Sequence, residues 1–206
     1  MPDLIRTFIA VTLPESLTDL VSEIQKTLKT QGLRIAWVVP GNVHLTLKFL
    51  GDIEPADVDP IAAVMSECAQ PIAPLTLSAR GLGVFPDLRH PRVLWLGITG
   101  DMPQLIAFQK DLDARLDALG QGRFKPEQRP FKGHLTLGRI KTRLDSGILL
   151  KALRETARDA HTFVVDAVHL IQSRLTPTGS IYTPLRRVVL GSSVCDLCQR
   201  NALAHK

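Results

Sequence analysis

Along the chain, short alternating runs of apolar and polar residues are interleaved with stretches of helical spacing, and that order occurs twice. The run LIRTFIAVTL, around Phe8, alternates as a strand does. Residues 14–30 follow with Leu17, Leu20, Val21, Ile24 and Leu28 on one face of a helix. HLTLKFLG from His44 reads as a second strand, residues 55–68 as a second helix and residues 75–82 as a third strand. Residues 92–98 form a strand that ends this unit and starts the next. The second unit continues with a helix over 102–119, carrying Leu105, Phe108, Leu112, Leu116 and Leu119, and a strand HLTLGRIK from His134. A helix over 146–160 follows, opened by a serine suited to capping, and then strands over 163–175 and 182–190. Gly32 and Gly120 are expected to close the first helix of each unit.

The two HLTL strings lie 90 residues apart, at 44 and 134, and the same offset aligns the elements around them. The order strand, helix, strand, helix, strand, strand predicts an α+β fold rather than repeated β-α crossovers. Duplication makes it two-lobed. Each lobe is expected to be a mainly antiparallel sheet with helices on its outer face, and the active-site cleft to lie between the lobes. With no Gly/Ser linker between the halves, residues 1–206 are expected to form a single domain, and about 191–206 a C-terminal tail beyond the repeat.

Composition removes several classes of protein. Of 206 residues, 45% are hydrophobic and 22% charged, which is globular rather than disordered or fibrous. Such a length buries a sizeable core without disulfides or a metal. The absence of a long apolar run or a signal-like N-terminus, with three cysteines, predicts a cytoplasmic monomer with no membrane partner. A net charge of +5 fits an anionic partner.

The chemistry is concentrated in the repeated strings. Residues two apart on a strand share a face, so His44 and Thr46 point one way while Leu45 and Leu47 enter the core, and His134 and Thr136 do the same. Pseudo-symmetry then brings two imidazoles and two hydroxyls face to face. Two histidines suit a reaction that removes one proton and delivers another, and hydroxyls donate to phosphate oxygens as charge develops there. Two histidines without a carboxylate fall short of the three protein ligands of a catalytic zinc. Metal-free, cofactor-free phosphodiester cleavage is the chemistry this set suggests.

Around this centre, strict alternation puts Lys48 on the His44 face as a candidate phosphate contact. Phe49, Phe85 and Tyr182 are candidates to stack on a base. Arg123, Lys125, Arg129, Lys132, Arg139, Lys141 and Arg143, opposed before Asp145 only by Glu127, suggest a track for RNA phosphates. Cys195, Cys198 and His205 lack a fourth ligand and are not expected to form a metal site. His90, His161 and His169 read as structural or surface residues, and Cys68 as packed.

With these residues in view, the chain resembles the two-histidine (2H) phosphoesterase superfamily, whose signature is a pair of His-x-Thr-x motifs on a duplicated fold. Within it, the chain is most similar to the bacterial and archaeal RNA 2′,3′-cyclic phosphodiesterases, historically called 2′-5′ RNA ligases. RTFIAVTLP from Arg6, WVVPGNVHLTLKFLG from Trp37, VFPDLRHPRVLWLG from Val84, HLTLGR from His134 and SRLTPTGSIYTPL from Ser173 carry the resemblance. It implies hydrolysis of a terminal ribose 2′,3′-cyclic phosphate to a 2′-phosphomonoester, with His44 as proton donor and His134 as proton acceptor. It also implies that Thr46 and Thr136 hold phosphate oxygens, that Arg139 neutralises the phosphate, and that reversible ATP-independent 2′-5′ ligation is a side activity. Gly133 departs from the proline usual before the second histidine. The alternatives are a phosphoesterase for a small cyclic nucleotide or an ADP-ribose cyclic phosphate, and a non-catalytic RNA-binding module.

Overall fold

The structure, a computed structural model, describes residues 3–142, 144–177 and 179–191. Its elements run β1 (Ile5–Thr12), α1 (Glu15–Thr30), β2 (Ala36–Trp37), β3 (His44–Ile53), α2 (Val58–Ala69), β4 (Leu75–Phe85), β5 (Val93–Gly100), α3 (Met102–Gly120), β6 (His134–Arg139), α4 (Ser146–Thr156), β7 (His161–Val165), β8 (Ala167–Thr176) and β9 (Gly179–Val189). Cys195, Cys198, His205 and Arg143 lie outside the described residues.

Every strand pairing is antiparallel, and the sheet order is β7-β4-β5-β6-β3-β1-β8-β9, with β2 paired to β6. The two motif strands are neighbours at its centre, joined through Leu45 and Leu135. Four strands lie on each side of that junction, which gives the α+β, two-lobed arrangement its pseudo-twofold form. Each side draws strands from both halves of the sequence: β1 and β3 are joined by β8 and β9, and β4, β5 and β6 by β7. The strand over 92–98 therefore takes the place of β1 in its lobe, and β9 instead corresponds to the edge strand β7.

One face of the sheet carries the main core. Leu45, Leu47, Leu135 and Leu137 pack there with Leu17, Ile24 and Leu28 of α1, Leu105, Leu112 and Leu116 of α3, and Leu149 of α4. These helices form because their apolar positions recur at helical spacing and bury one face. The opposite face holds a small cluster of Phe8, Ala10 and Ile171 against Tyr182. Among the described residues, no helix is long and apolar enough to cross a membrane.

Several local expectations change. Leu119 is 38% exposed, at the solvent side of α3. Gly120 is still inside α3, where an added Cβ would meet the Phe124 ring at 2.7 Å, and the left-handed turn falls on Gln121 and Gly122. The N-cap of α4 is Asp145, whose carboxylate accepts the Ile148 N–H, while Ser146 donates to the Leu88 carbonyl. The stretch 163–175 is two strands divided at Asp166.

Candidate active site

The two HLTL strings keep the same side chains in the same environments. From His44 to Leu50 and from His134 to Ile140, exposure runs identically: half-buried, buried, half-buried, buried, buried, exposed, buried. Alternation holds for four residues and then slips. In the β1–β3 ladder Ile9 faces Lys48 and Ala10 faces Thr46, so Leu47 is skipped; in the β5–β6 ladder Leu94 faces Gly138 and Trp95 faces Thr136, so Leu137 is skipped. Each slip is a bulge, and it turns the fifth residue toward the core and the sixth toward the histidines.

The bulge overturns the placement of Lys48. Its side chain is buried on the core side, donating to Asp113 of α3 and to the Lys125 carbonyl, so it is no phosphate contact. Asp113 also accepts the Glu127 N–H and thereby ties down the segment leading to the second motif. The same bulge puts Phe49, 65% exposed, on the His44 face, and puts exposed Arg139 at the matching place beyond His134.

Leu45 and Leu135 face each other in antiparallel register, which sets His44 toward Thr136 and Thr46 toward His134. Both imidazoles are oriented in the same way. His44 Nδ1 donates to the Asn42 carbonyl at 2.8 Å, and His134 Nδ1 to the Lys132 carbonyl at 2.7 Å. A carbonyl only accepts, so Nδ1 of each ring holds a proton and Nε2 is left outside that hydrogen bond. The two carbonyls come from residues at the same 90-residue offset as the histidines themselves.

Aromatic rings hold the imidazoles. Phe8 stacks on His44 at 4.6 Å between centroids, and Tyr182 meets it edge-on at 5.4 Å. Phe85 stands edge-on to His134 at 5.0 Å and leans on Trp95 at 5.2 Å. Burial pushes the His44 pKa below 6.5; the hydrogen bond to Asn42 opposes that shift, and the charge of His134 adds to it. A cavity of about 170 Å³ beside His44 is lined by Thr12, Asn42, Ile171 and Tyr182. A wider hollow of about 610 Å³, at Arg89, His90 and Ser146, contains neither His44 nor His134.

The basic run divides. Arg123 forms a two-pronged ion pair with Asp57 and lies over the Phe124 ring, which removes it from a phosphate track. Lys125, Arg129, Lys132, Arg139 and Lys141 remain exposed. Of the other histidines, His90 is exposed, His161 meets the Ser16 hydroxyl at 3.2 Å, and His169 meets the Thr12 hydroxyl at 3.5 Å. Among the described residues no three His, Cys, Asp or Glu side chains gather as a metal site would require. Cys68 is buried and its thiol is pushed up to about 12, first by burial and then by Asp111.

Sequence reasoning missed Phe8, Asn42, Trp95 and the anchoring role of the Lys132 carbonyl. The matched offset of Asn42 and Lys132 was the available signal for two of them, whereas contacts of Phe8 and Trp95 depend on cross-strand register.

Comparison with known proteins agrees with the duplicated fold. The family model for the LigT-like phosphoesterases matches the chain twice, over 11–95 and 98–182. The RNA 2′,3′-cyclic phosphodiesterase of Methanothermobacter thermautotrophicus is 38% identical over 88% of this chain and 96% of its own. That of Aquifex aeolicus is 35% identical over 91% and 98%. A crystal structure from Thermus thermophilus superposes with a TM-score of 0.74 at 28% identity, over 91% of this chain and 99% of the other. Two matches to one model, each containing a histidine motif, establish that the chain belongs to the LigT-like phosphoesterase family.

Proposed function

We propose that the chain hydrolyses the terminal 2′,3′-cyclic phosphate of RNA to a 2′-phosphomonoester, without a metal or cofactor. The observation that carries this reading is the matched pair of Nδ1 hydrogen bonds, which leave two imidazole Nε2 atoms as proton carriers on one face of the sheet. The names of the curated relatives support the substrate.

In the reaction, His134 Nε2 takes a proton from water as the water oxygen bonds to phosphorus. The bond from phosphorus to O3′ breaks, and His44 Nε2 delivers its proton to O3′. Thr46 and Thr136 donate to the non-bridging oxygens, and Arg139 balances the phosphate charge. In the free protein, burial favours neutral His44, the form less suited to donate. A bound phosphodiester anion favours the imidazolium and returns His44 to the donor role. If the 5′-hydroxyl of a second RNA replaces water, the same two proton transfers give a 2′-5′ linkage without ATP.

Exposed Lys125, Arg129, Lys132 and Lys141 supply the charge for RNA phosphates along the second motif. Phe49 and Tyr182 offer stacking surfaces beside the first. The test is incubation with an oligonucleotide ending in a 2′,3′-cyclic phosphate, in EDTA, with product identification. A 2′-phosphate is expected. Turnover of nucleoside cyclic phosphates alone would move the substrate to small molecules, and binding without turnover would overturn the enzymatic reading.

A further inference from the structure

Gln25 is a polar residue in an apolar place. It lies on the face of α1 that buries Val21, Ile24 and Leu28, and only 1% of it is exposed. A primary amide removed from water must bond both of its hydrogens or lose free energy. Gln25 Nε2 donates one to the Val38 carbonyl at 2.8 Å and the other to the Leu137 carbonyl at 3.0 Å. The Val38 N–H donates to the same Leu137 carbonyl at 3.0 Å. One side chain thus clamps the segment that precedes the first motif onto the strand that carries the second.

Each end of the clamp leads to a half-site. After Val39, a single 3-10 turn over Pro40–Asn42 runs toward His44, and the Asn42 carbonyl accepts the His44 Nδ1 proton. Two backbone bonds stiffen this turn, from the Asn42 N–H to the Val39 carbonyl and from the Val43 N–H to the Pro40 carbonyl, so a shift at Val38 is passed on to the His44 anchor. Leu137 is the residue skipped at the β6 bulge, next to Thr136. Among the described residues the ladder joins the two motif strands only through Leu45 and Leu135, which leaves the rest of their registration to ties of this kind. The second imidazole has a different support. Lys48 and Asp113 hold the Lys125 carbonyl and the Glu127 N–H, on the segment that leads to Lys132, whose carbonyl anchors His134. The two anchors therefore rest on separate buried devices.

We propose that Gln25 is a positioning residue for the reaction: by clamping Val38 to Leu137 it sets where the Asn42 carbonyl, and with it His44, stands relative to Thr136. This rests on the hydrolytic reading above. A proton donor displaced by about 1 Å costs about 10²-fold in rate, and the loss falls on kcat because substrate binding does not depend on it. The effect belongs to the His44 half, since His134 keeps its own support.

The experiment compares the native chain with Gln25→Met, similar in length but without a donor, and Gln25→Asn, whose amide is drawn back by one methylene. Two quantities are read: steady-state opening of an oligonucleotide 2′,3′-cyclic phosphate, and the exchange with water of the two imidazole Nδ1 protons by NMR. In both variants kcat and kcat/KM are expected to fall together by about 10²-fold. The His44 Nδ1 proton is expected to exchange about tenfold faster, matching one weakened hydrogen bond, while that of His134 keeps its native rate. Equal acceleration at both histidines would mark a general loosening of the core and overturn the assignment. Native kcat, or an unmoved His44 signal, would overturn it as well. Should Gln25→Met not fold, Gln25→Asn decides alone. A native chain that opens no cyclic phosphate defeats the hydrolytic reading, and the exchange rates then still decide whether Gln25 places His44.

Discussion

Leu45 and Leu135 pair across β3 and β6, and this single register point decides how the two halves of the site meet. With it fixed, each histidine lies toward the threonine of the other motif, so neither lobe contains a complete site. In the proposed reaction, His44→Ala and His134→Ala each remove one of two proton carriers. Each is expected to lower kcat for cyclic phosphate opening by about 10² to 10⁴-fold. Both side chains are half-buried rather than core, so circular dichroism and urea midpoints of the variants should stay near the native values. Near-native turnover in either variant would remove the acid–base assignment.

The pH dependence follows from His44. In the proposed reaction His44 donates and must be protonated, so activity is lost as pH rises through its pKa, which burial and the His134 charge hold below 6.5 in the free protein. The profile of kcat/KM reports the free protein and that of kcat the complex, where the phosphodiester anion raises the same pKa. The alkaline limb of kcat is therefore expected at higher pH than that of kcat/KM. If His44 is the base instead, its titration moves to the acid limb. The same depressed pKa affects stability: the folded chain binds fewer protons than the unfolded one between its lowered pKa and 6.5. Stability contributed there is full above 6.5 and falls as pH drops through that window, a slope that His44→Ala should flatten in urea titrations across pH.

The candidate quartet was legible because a repeated string with period-two alternation needs no tertiary information: His44, Thr46, His134 and Thr136 occupy the face that alternation predicts. Lys48 was not legible, since a bulge is a property of two strands in register and reverses every face beyond it. The division at Asp166 and the exchange of strands between lobes depend on which edges pair, a choice the hydropathy of one strand does not encode. Asp145 outcompeting Ser146 as a cap is a finer case. Both suit the position, and the Leu88 carbonyl engages the serine elsewhere.

Lys48 and Asp113 carry a stability prediction in place of a substrate contact. Both are buried, and together they join β3, α3 and the segment around Lys125 and Glu127. Lys48→Met strands a carboxylate in the core and is expected to cost about 3–5 kcal/mol, read as a lower urea midpoint. The double variant Lys48→Met with Asp113→Leu removes both charges and should recover much of that loss. A double variant no more stable than the single one would show that packing, rather than the unpaired charge, dominates.

Trp95 offers the last test, because its place beside the site depends on two glycines. It faces Thr136 across the ladder and touches Phe85, which stands against His134. Its indole nitrogen is buried with no hydrogen-bond partner among the described residues, so packing alone locates the ring. A Cβ at Gly83 would fall 2.3 Å from the indole Cζ2, and one at Gly97 would fall 2.7 Å from the Arg80 carbonyl. Gly83→Ala must therefore displace the ring, which leans on Phe85 beside His134, at a cost of about 1–3 kcal/mol for overpacking. The expected signature is a shift in tryptophan fluorescence with a fall in kcat larger than any change in KM. Gly83→Ala with Trp95→Phe, which makes room, should restore stability, and an unchanged kcat in Gly83→Ala would separate the indole from the positioning of His134.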